Sequence, residues 1–476
     1  TETSGEFDLA LGENGTLLSH GWIGSMGERF GGLVEGVRQE TRGFKRIDGG
    51  GDAGYELNDF VAKLRWTSAP DAARYQQLDL KLGRNTQDSN ETYLGLADAD
   101  FRADPNRRYA GSRLDNIQTE QNLLELRHLI ELGENTTLNT VAYRTEFSRN
   151  WYKLNDVQGV SIARILDDPT TYASQYAWLT GATSPVNALR LRNNNRSYYA
   201  QGLQSVLGFD FDTGTARHDL EFGLRLHRDQ EDRYQNDDRF QVVGGELVLT
   251  RDGAPGTQDN RVGDAEALSL FVHDTISFGK WILTPGVRYE RIDLTSTRYS
   301  TATGRRDVVL SKVETEVDEV IPGFGATYLL NDSLTLFGSV HRGFNPPGPA
   351  SGALSEKSVN GEFGLRWNQG ATGVELVGFV NDYSNLVGTC TASSGGNCNL
   401  GDQFDGGEAR VSGLEASLGY DFNEGGAVSV PFSLAYTYTE AEFRNAFVSS
   451  FEEWGTVAVG DQLPYLPEHL VHAELG

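Results

Sequence analysis

Between residues 413 and 422, Leu414, Ala416, Leu418, Tyr420 and Phe422 alternate with Gly413, Glu415, Ser417, Gly419 and Asp421. Successive side chains of a strand point to opposite faces, so this two-residue period describes sheet with one greasy side and one wet side. The period recurs along nearly the whole chain. It marks strands near residues 60–66, 78–82, 123–132, 138–147, 198–211, 220–226, 268–276 and 282–292. More follow near 321–329, 334–341, 359–367, 374–383, 409–422 and 428–439. With fainter strands before residue 60 and a last one starting at Val471, the expectation is about 18 strands, a large number for one sheet.

The connections fall into two kinds that take turns. Residues 68–74, 133–136, 212–215, 278–280, 331–333, 368–371 and 423–426 read as tight turns rich in Gly, Asn and Asp. Residues 41–56, 84–119, 150–196, 228–266, 295–318, 342–358, 384–408 and 441–467 read as long polar connections. Strict alternation puts every second hairpin end on the same rim, so one rim is trimmed and the other decorated. Outer-membrane barrels are built this way. A soluble sandwich or propeller also alternates along its strands, and would carry Glu221, Arg225, His227, Arg288 and Glu290 on its outer faces. Loop asymmetry and strand number favour the barrel, where those charges line a lumen. Trp66, Trp281, Tyr289, Trp367 and Tyr420, near strand ends, fit interfacial girdles, although cross-strand packing accounts for any one of them alone.

Composition narrows the class further. Against 41 Lys and Arg stand 67 Asp and Glu, a net charge of −26 that repels polyanions and argues against a nucleic-acid partner. No run approaches the roughly 18 consecutive apolar residues of a membrane-spanning helix, whereas barrel strands need only about 10 alternating ones. The 56 glycines suit a large β protein with many turns. Thr1 is not an initiator Met, and the first residues lack the basic, apolar and small-residue succession of a signal peptide. The sequence therefore reads as part of a longer parent chain.

Several stretches, in order, resemble one family. Residues 41–52 (TRGFKRIDGGGD), 91–109 (ETYLGLADADFRADPNRRY), 149–156 (RNWYKLND) and 342–347 (RGFNPP) are similar to segments of the TonB-dependent outer-membrane receptors. Residues 356–365 (EKSVNGEFGL), 378–386 (GFVNDYSNL) and 463–469 (LPYLPEH) resemble late-barrel signatures of that family, in particular of its ferric-citrate-receptor-like branch. The resemblance implies an all-β fold, a large antiparallel transmembrane β-barrel of the 22-stranded type whose lumen holds an N-terminal plug. Residues 1–476 correspond to the barrel alone, without the plug and short of the last strands, so the parent chain is expected to continue at both ends. The implied function is uptake of a ferric chelate, energised by TonB acting through the plug. A monomer in the outer membrane is expected, in contact with lipid and lipopolysaccharide, its long loops extracellular and short turns periplasmic. Other siderophores, cobalamin or an oligosaccharide are alternative ligands, and a passive porin or an adhesin is the reading from another class.

An anionic ferric chelate needs cationic groups within this acidic chain. Arg107, Arg108 and Tyr109 in one long connection, Arg149, Trp151, Tyr152 and Lys153 at the start of the next, and Arg190, Arg192 and Arg196 at its end are the candidates. The planar fork of arginine suits bidentate capture of carboxylates, and aromatic rings exclude water around a chelate. The competing reading makes each a wall residue paired with a nearby acid. Cys390 and Cys398 are the only cysteines, and in an exported protein a disulfide closing their short loop is the expected state. The eight histidines are scattered without metal-ligand spacing, and no intrinsic cofactor or metal is expected. With no G-x-S-x-G elbow and no compact Ser, His and acid grouping, a hydrolase is not expected either.

Overall fold

A computed structural model of the chain describes residues 2–90, 94–348, 354–389, 403–423, 425–426, 428–448 and 455–476. They form one antiparallel sheet of 20 strands with a few short satellite pairings. Two of the 20, Val160–Ser161 and Glu246–Arg251, are flaps folded back on a neighbour, which leaves 18 strands from Glu2–Gly12 to His469–Leu475. These run up and down in chain order, each beside the next, as the alternation leads one to expect. Glu2–Gly12 and His469–Leu475 each keep one edge without a strand partner among the described residues.

Register assigns the faces. Leu80, Leu126, Ala142, Leu203, Leu226 and Leu268 stand opposite one another on six neighbouring strands. One residue along each strand, the other face carries Arg127, Val141, Gln204, Arg225, Ser269 and Glu290. A slip by one residue would exchange the two sets, so this apolar pattern fixes the register. Phe222, Leu224 and Leu226 on the apolar face are exposed, whereas Ile292 and Leu294 on the polar face are buried. Side chains crowd together on the concave side of a curved sheet, so the polar face is the inner wall and the apolar face the outer one.

The trimmed rim is held by minimal turns. Gly279 and Gly370, with φ of 57° and 55°, sit in two-residue hairpins that need a left-handed residue, which a side chain would strain. The decorated rim has one exception to the expected alternation. Residues 13–15 also turn tightly there, and the amide of Arg42 donates to the carbonyl of Asn14 at 3.0 Å.

The larger difference from the sequence expectation lies above the apolar band. Thr136–Val157, Leu189–Thr213 and Ala216–Val243 run far into what the alternation assigns to connections at 150–196 and 228–266. Residues 228–239 (RDQEDRYQNDDR) are almost wholly polar. Both faces of this stretch meet water or polar partners, with Arg233, Gln235, Asn236 and Asp238 buried among them, so alternation vanishes while the backbone ladder continues. Three short helices, α1 (Asp98–Ala103), α2 (Ile162–Asp167) and α3 (Ala173–Leu179), also lie in segments read as plain loop. Helices α2 and α3 help form a small hydrophobic core that includes Tyr109, Leu154, Ile165, Leu179, Leu191 and Phe240, and α1, which buries no residue of its own, is tied to it where Asp100 accepts the hydroxyls of Tyr109 and Tyr176. Leu154, Leu191 and Phe240 point from the outer face of the strand extensions, so this core is a shelf on the outside of the wall.

Candidate ligand-binding wall

Strand parity sorts the sequence candidates. Arg149, Trp151 and Lys153 share a face of Thr136–Val157, and Arg190, Arg192 and Arg196 share the matching face of Leu189–Thr213. It is the inner face, because Arg196 has the parity of Gln204 and Arg149 that of Val141. Tyr152 takes the outer face, where its hydroxyl donates to Asp238 at 2.9 Å.

The inner wall holds a feature that no single loop reveals. Arg149 pairs with Arg196, Arg196 with Arg233, Arg233 with Arg261 and Arg261 with Arg298, so five arginines on five adjacent strands stand side by side. Neighbouring strands are about 4.8 Å apart, which spreads the row over about 19 Å. Two carboxylates stand within it. Glu231 Oε1 meets Arg233 Nε at 2.8 Å and Arg196 Nη1 at 3.3 Å, and accepts the Tyr198 hydroxyl at 3.2 Å. Asp259 lies 3.4 Å from Arg261. Neither Arg149 nor Arg298 has an ion-pair partner among the described residues. Arg196 and Arg233 are only 9% and 7% exposed, and the Arg196 Nε finds no acceptor. Burial and the adjacent Arg233 both push the Arg196 guanidinium below its ordinary value.

The groups above the row are more nearly neutralised. Arg190 contacts Asp156 and lies 3.2 Å from Asp237, which also accepts from Arg192 at 2.8 Å. Lys153 is buried, with its ammonium 3.9 Å from the centroid of the Trp151 ring. Burial pushes that ammonium down to about 8, against the opposing pull of Asp115.

Arg107, Arg108 and Tyr109 stand apart from this wall, in the packing of the shelf. Arg107–Arg108 forms a short parallel pairing with Arg46–Ile47. Arg107 binds Asp48 at 2.9 Å and Asp100 at 3.1 Å, while Arg108 donates to the Pro105 carbonyl at 2.9 Å. Tyr109 is buried, donates to Asp100 at 2.6 Å and accepts the Ala97 amide at 2.9 Å. Tyr176 donates to the same carboxylate. Burial pushes the Asp100 carboxyl up, but the two phenols outweigh it and hold it below its ordinary value. Cys390 and Cys398 lie outside the described residues.

Arg233, Arg261 and Arg298 escape the sequence reading because they lie in stretches taken for loops. Counting residues back from the tight turns finds them. Thr213 opposite Ala216 implies Arg196 opposite Arg233, and Phe278 opposite Trp281 implies Arg261 opposite Arg298. Among the described residues no group of three or more His, Cys, Asp and Glu is placed to hold a metal. No described helix is long and apolar enough to cross a membrane, which leaves a strand-built crossing untouched.

A meandering sheet with an apolar outer face, a charged inner wall and one elaborated rim defines an outer-membrane barrel. The chain belongs to the TonB-dependent receptor-like β-barrel family, whose model matches residues 42–476. This is a family of transporters in the bacterial outer membrane, not of enzymes. Solved structures of similar fold include the unliganded ferric citrate transporter FecA, at 18% identity and a TM-score of 0.68, with 99% of this chain and 62% of that one covered. The ferric yersiniabactin uptake receptor FyuA from Yersinia pestis matches at 15% identity and a TM-score of 0.70, covering 100% and 65%. The siderophore receptor PiuA from Acinetobacter baumannii matches at 14% identity and a TM-score of 0.75, covering 99% and 69%. The chain thus spans about two thirds of the length of these proteins.

Proposed function

We propose that the chain is the barrel portion of a receptor that takes up an anionic ferric chelate across the outer membrane, with energy supplied through TonB. The observation that carries this reading is the arginine row on the inner wall, from Arg149 to Arg298, in a protein whose net charge is −26. Such a concentration of cations has no structural need, since packed like charges oppose folding. It suits an anion entering from the decorated rim, which is the extracellular one in this reading. Guanidinium forks bind carboxylates in bidentate fashion, so a ferric citrate-type chelate is the favoured ligand. Arg190, Arg192, Lys153 and Trp151 border the row on its rim side, while Arg107, Arg108, Tyr109 and Tyr152 act through the shelf that braces it.

The names of similar structures point the same way, because they include receptors for ferric citrate, ferric yersiniabactin and other siderophores. In this reading the barrel is of the 22-stranded type. A plug segment completes the binding site and contacts TonB. The test is binding of radiolabelled ferric citrate to cells that produce the complete parent protein but lack TonB. Saturable binding that the triple variant R196Q/R233Q/R261Q loses supports the proposal. Retained affinity in that variant refutes it.

A further inference from the structure

Within the row, Glu231 occupies the position that a ligand carboxylate would take. It presents a single oxygen to Arg233 Nε at 2.8 Å, to Arg196 Nη1 at 3.3 Å and to the Tyr198 hydroxyl at 3.2 Å. The pairing is poor in geometry. Neither guanidinium engages both oxygens, and the Arg196 Nε is left without an acceptor although the residue is 9% exposed. A carboxylate arriving from the lumen can offer two oxygens to one fork, the stronger arrangement. The outer members of the row, Arg149 and Arg298, meanwhile have no ion-pair partner among the described residues.

We infer that Glu231 is a built-in competitor for the arginine row and a specificity-determining residue, so that the row admits polyanionic chelates and turns away singly charged or neutral ones. The inference rests on the reading of the row as the ligand-binding surface. A monoanion competing at Arg196 and Arg233 merely replaces one carboxylate by another. A chelate with several free carboxylates engages Arg149 or Arg298 as well, and that added attraction outweighs the displaced Glu231. The span of about 19 Å, four strand spacings, allows one extended ligand to reach beyond the central pair. Without Glu231, Arg196 and Arg233 face each other with no shared counter-charge, and even a weak anion is drawn in.

Binding to outer-membrane vesicles containing the complete parent protein, with no energy source present, isolates this step. The probes are radiolabelled ferric citrate and a neutral ferric trihydroxamate, with acetate as the monoanionic competitor. In the E231Q variant the amide keeps an acceptor for Tyr198 while the charge is gone. Ferric citrate is expected to bind E231Q at least tenfold more tightly than the wild type, and acetate to compete with it only in the variant. The neutral chelate is expected to gain nothing, and R233Q to bind ferric citrate at least tenfold more weakly. If R233Q weakens binding but E231Q leaves it unchanged or weaker, Glu231 is a positioning residue and the inference fails while the reading of the row stands. If wild type, E231Q and R233Q all bind ferric citrate alike, or not at all, the reading of the row fails and takes the inference with it. Retained mobility of the unheated barrel on a gel confirms that each variant folds.

Discussion

Replacing Asp100 by Ala should release the shelf without disturbing the sheet. Asp100 accepts the hydroxyls of Tyr109, at 2.6 Å, and of Tyr176, and pairs with Arg107 at 3.1 Å. Hydrogen bonds to a charged group contribute about 1.5–3 kcal/mol each. Tyr109 is buried and loses its acceptor outright, whereas Tyr176 and Arg107 are partly exposed and recover part of the loss from water. The expected cost is therefore about 3 kcal/mol. Since 1.4 kcal/mol is a factor of ten, local opening should rise about a hundredfold. Hydrogen exchange of residues 94–115 and 162–181 measures it, with the strand Leu189–Thr213 as internal reference. Exchange within about threefold of wild type would mean that the phenols and Asp100 do not hold the shelf. Acid should loosen it too. The Asp100 carboxyl is held below its ordinary 3.8, so its contribution is complete above that pH and is lost as pH falls through the folded value.

Leu179 is fully buried in the shelf core, and Leu179→Ala should cost about 2–5 kcal/mol there, seen as faster proteolysis of residues 158–188 with the sheet intact. Gly54→Ala would place a Cβ 1.7 Å from the Thr41 carbonyl oxygen and 2.6 Å from the Arg42 Cα. Both are backbone atoms that cannot swing away, so the yield of folded barrel in the membrane should fall sharply, while Gly95→Ala, with nothing within 4 Å and no left-handed φ, is the milder control. For Lys153 the folded value of about 8 lies below the ordinary 10.5, so burial of the charged form opposes folding below pH 8. The end of its strand should therefore become more protected as pH rises from 8 to about 10.5, read as exchange at residues 150–157 after correction for intrinsic rates.

What the sequence reveals depends on how many of a strand's faces are polar. Leu220 to Leu226 declares itself because lipid demands every second residue. Residues 228–239 hide because both of their faces carry polar side chains, wet or buried against polar partners, and the ladder there leaves no mark in the polarity pattern. The same blindness conceals the site. Arg149 and Arg196 stand out beside aromatic or basic neighbours, yet Arg233, Arg261 and Arg298 join them only through register. That register follows from the tight turns by counting. Arg107 and Tyr109 look in sequence like their counterparts on the wall, but a pairing with Asp48 and Asp100 across the loops draws them into the shelf. No local signal distinguishes the two fates, because Asp100 is one of several acids near Arg107 in sequence and its other partner, Asp48, lies 59 residues away.

Uptake of radiolabelled ferric citrate by iron-starved cells producing the complete parent protein, with and without TonB, tests the central claim most directly. Saturable binding is expected in both strains and accumulation only when TonB is present, with both lost in R196Q/R233Q/R261Q. Accumulation that proceeds equally without TonB, or that ignores the three arginines, would contradict it.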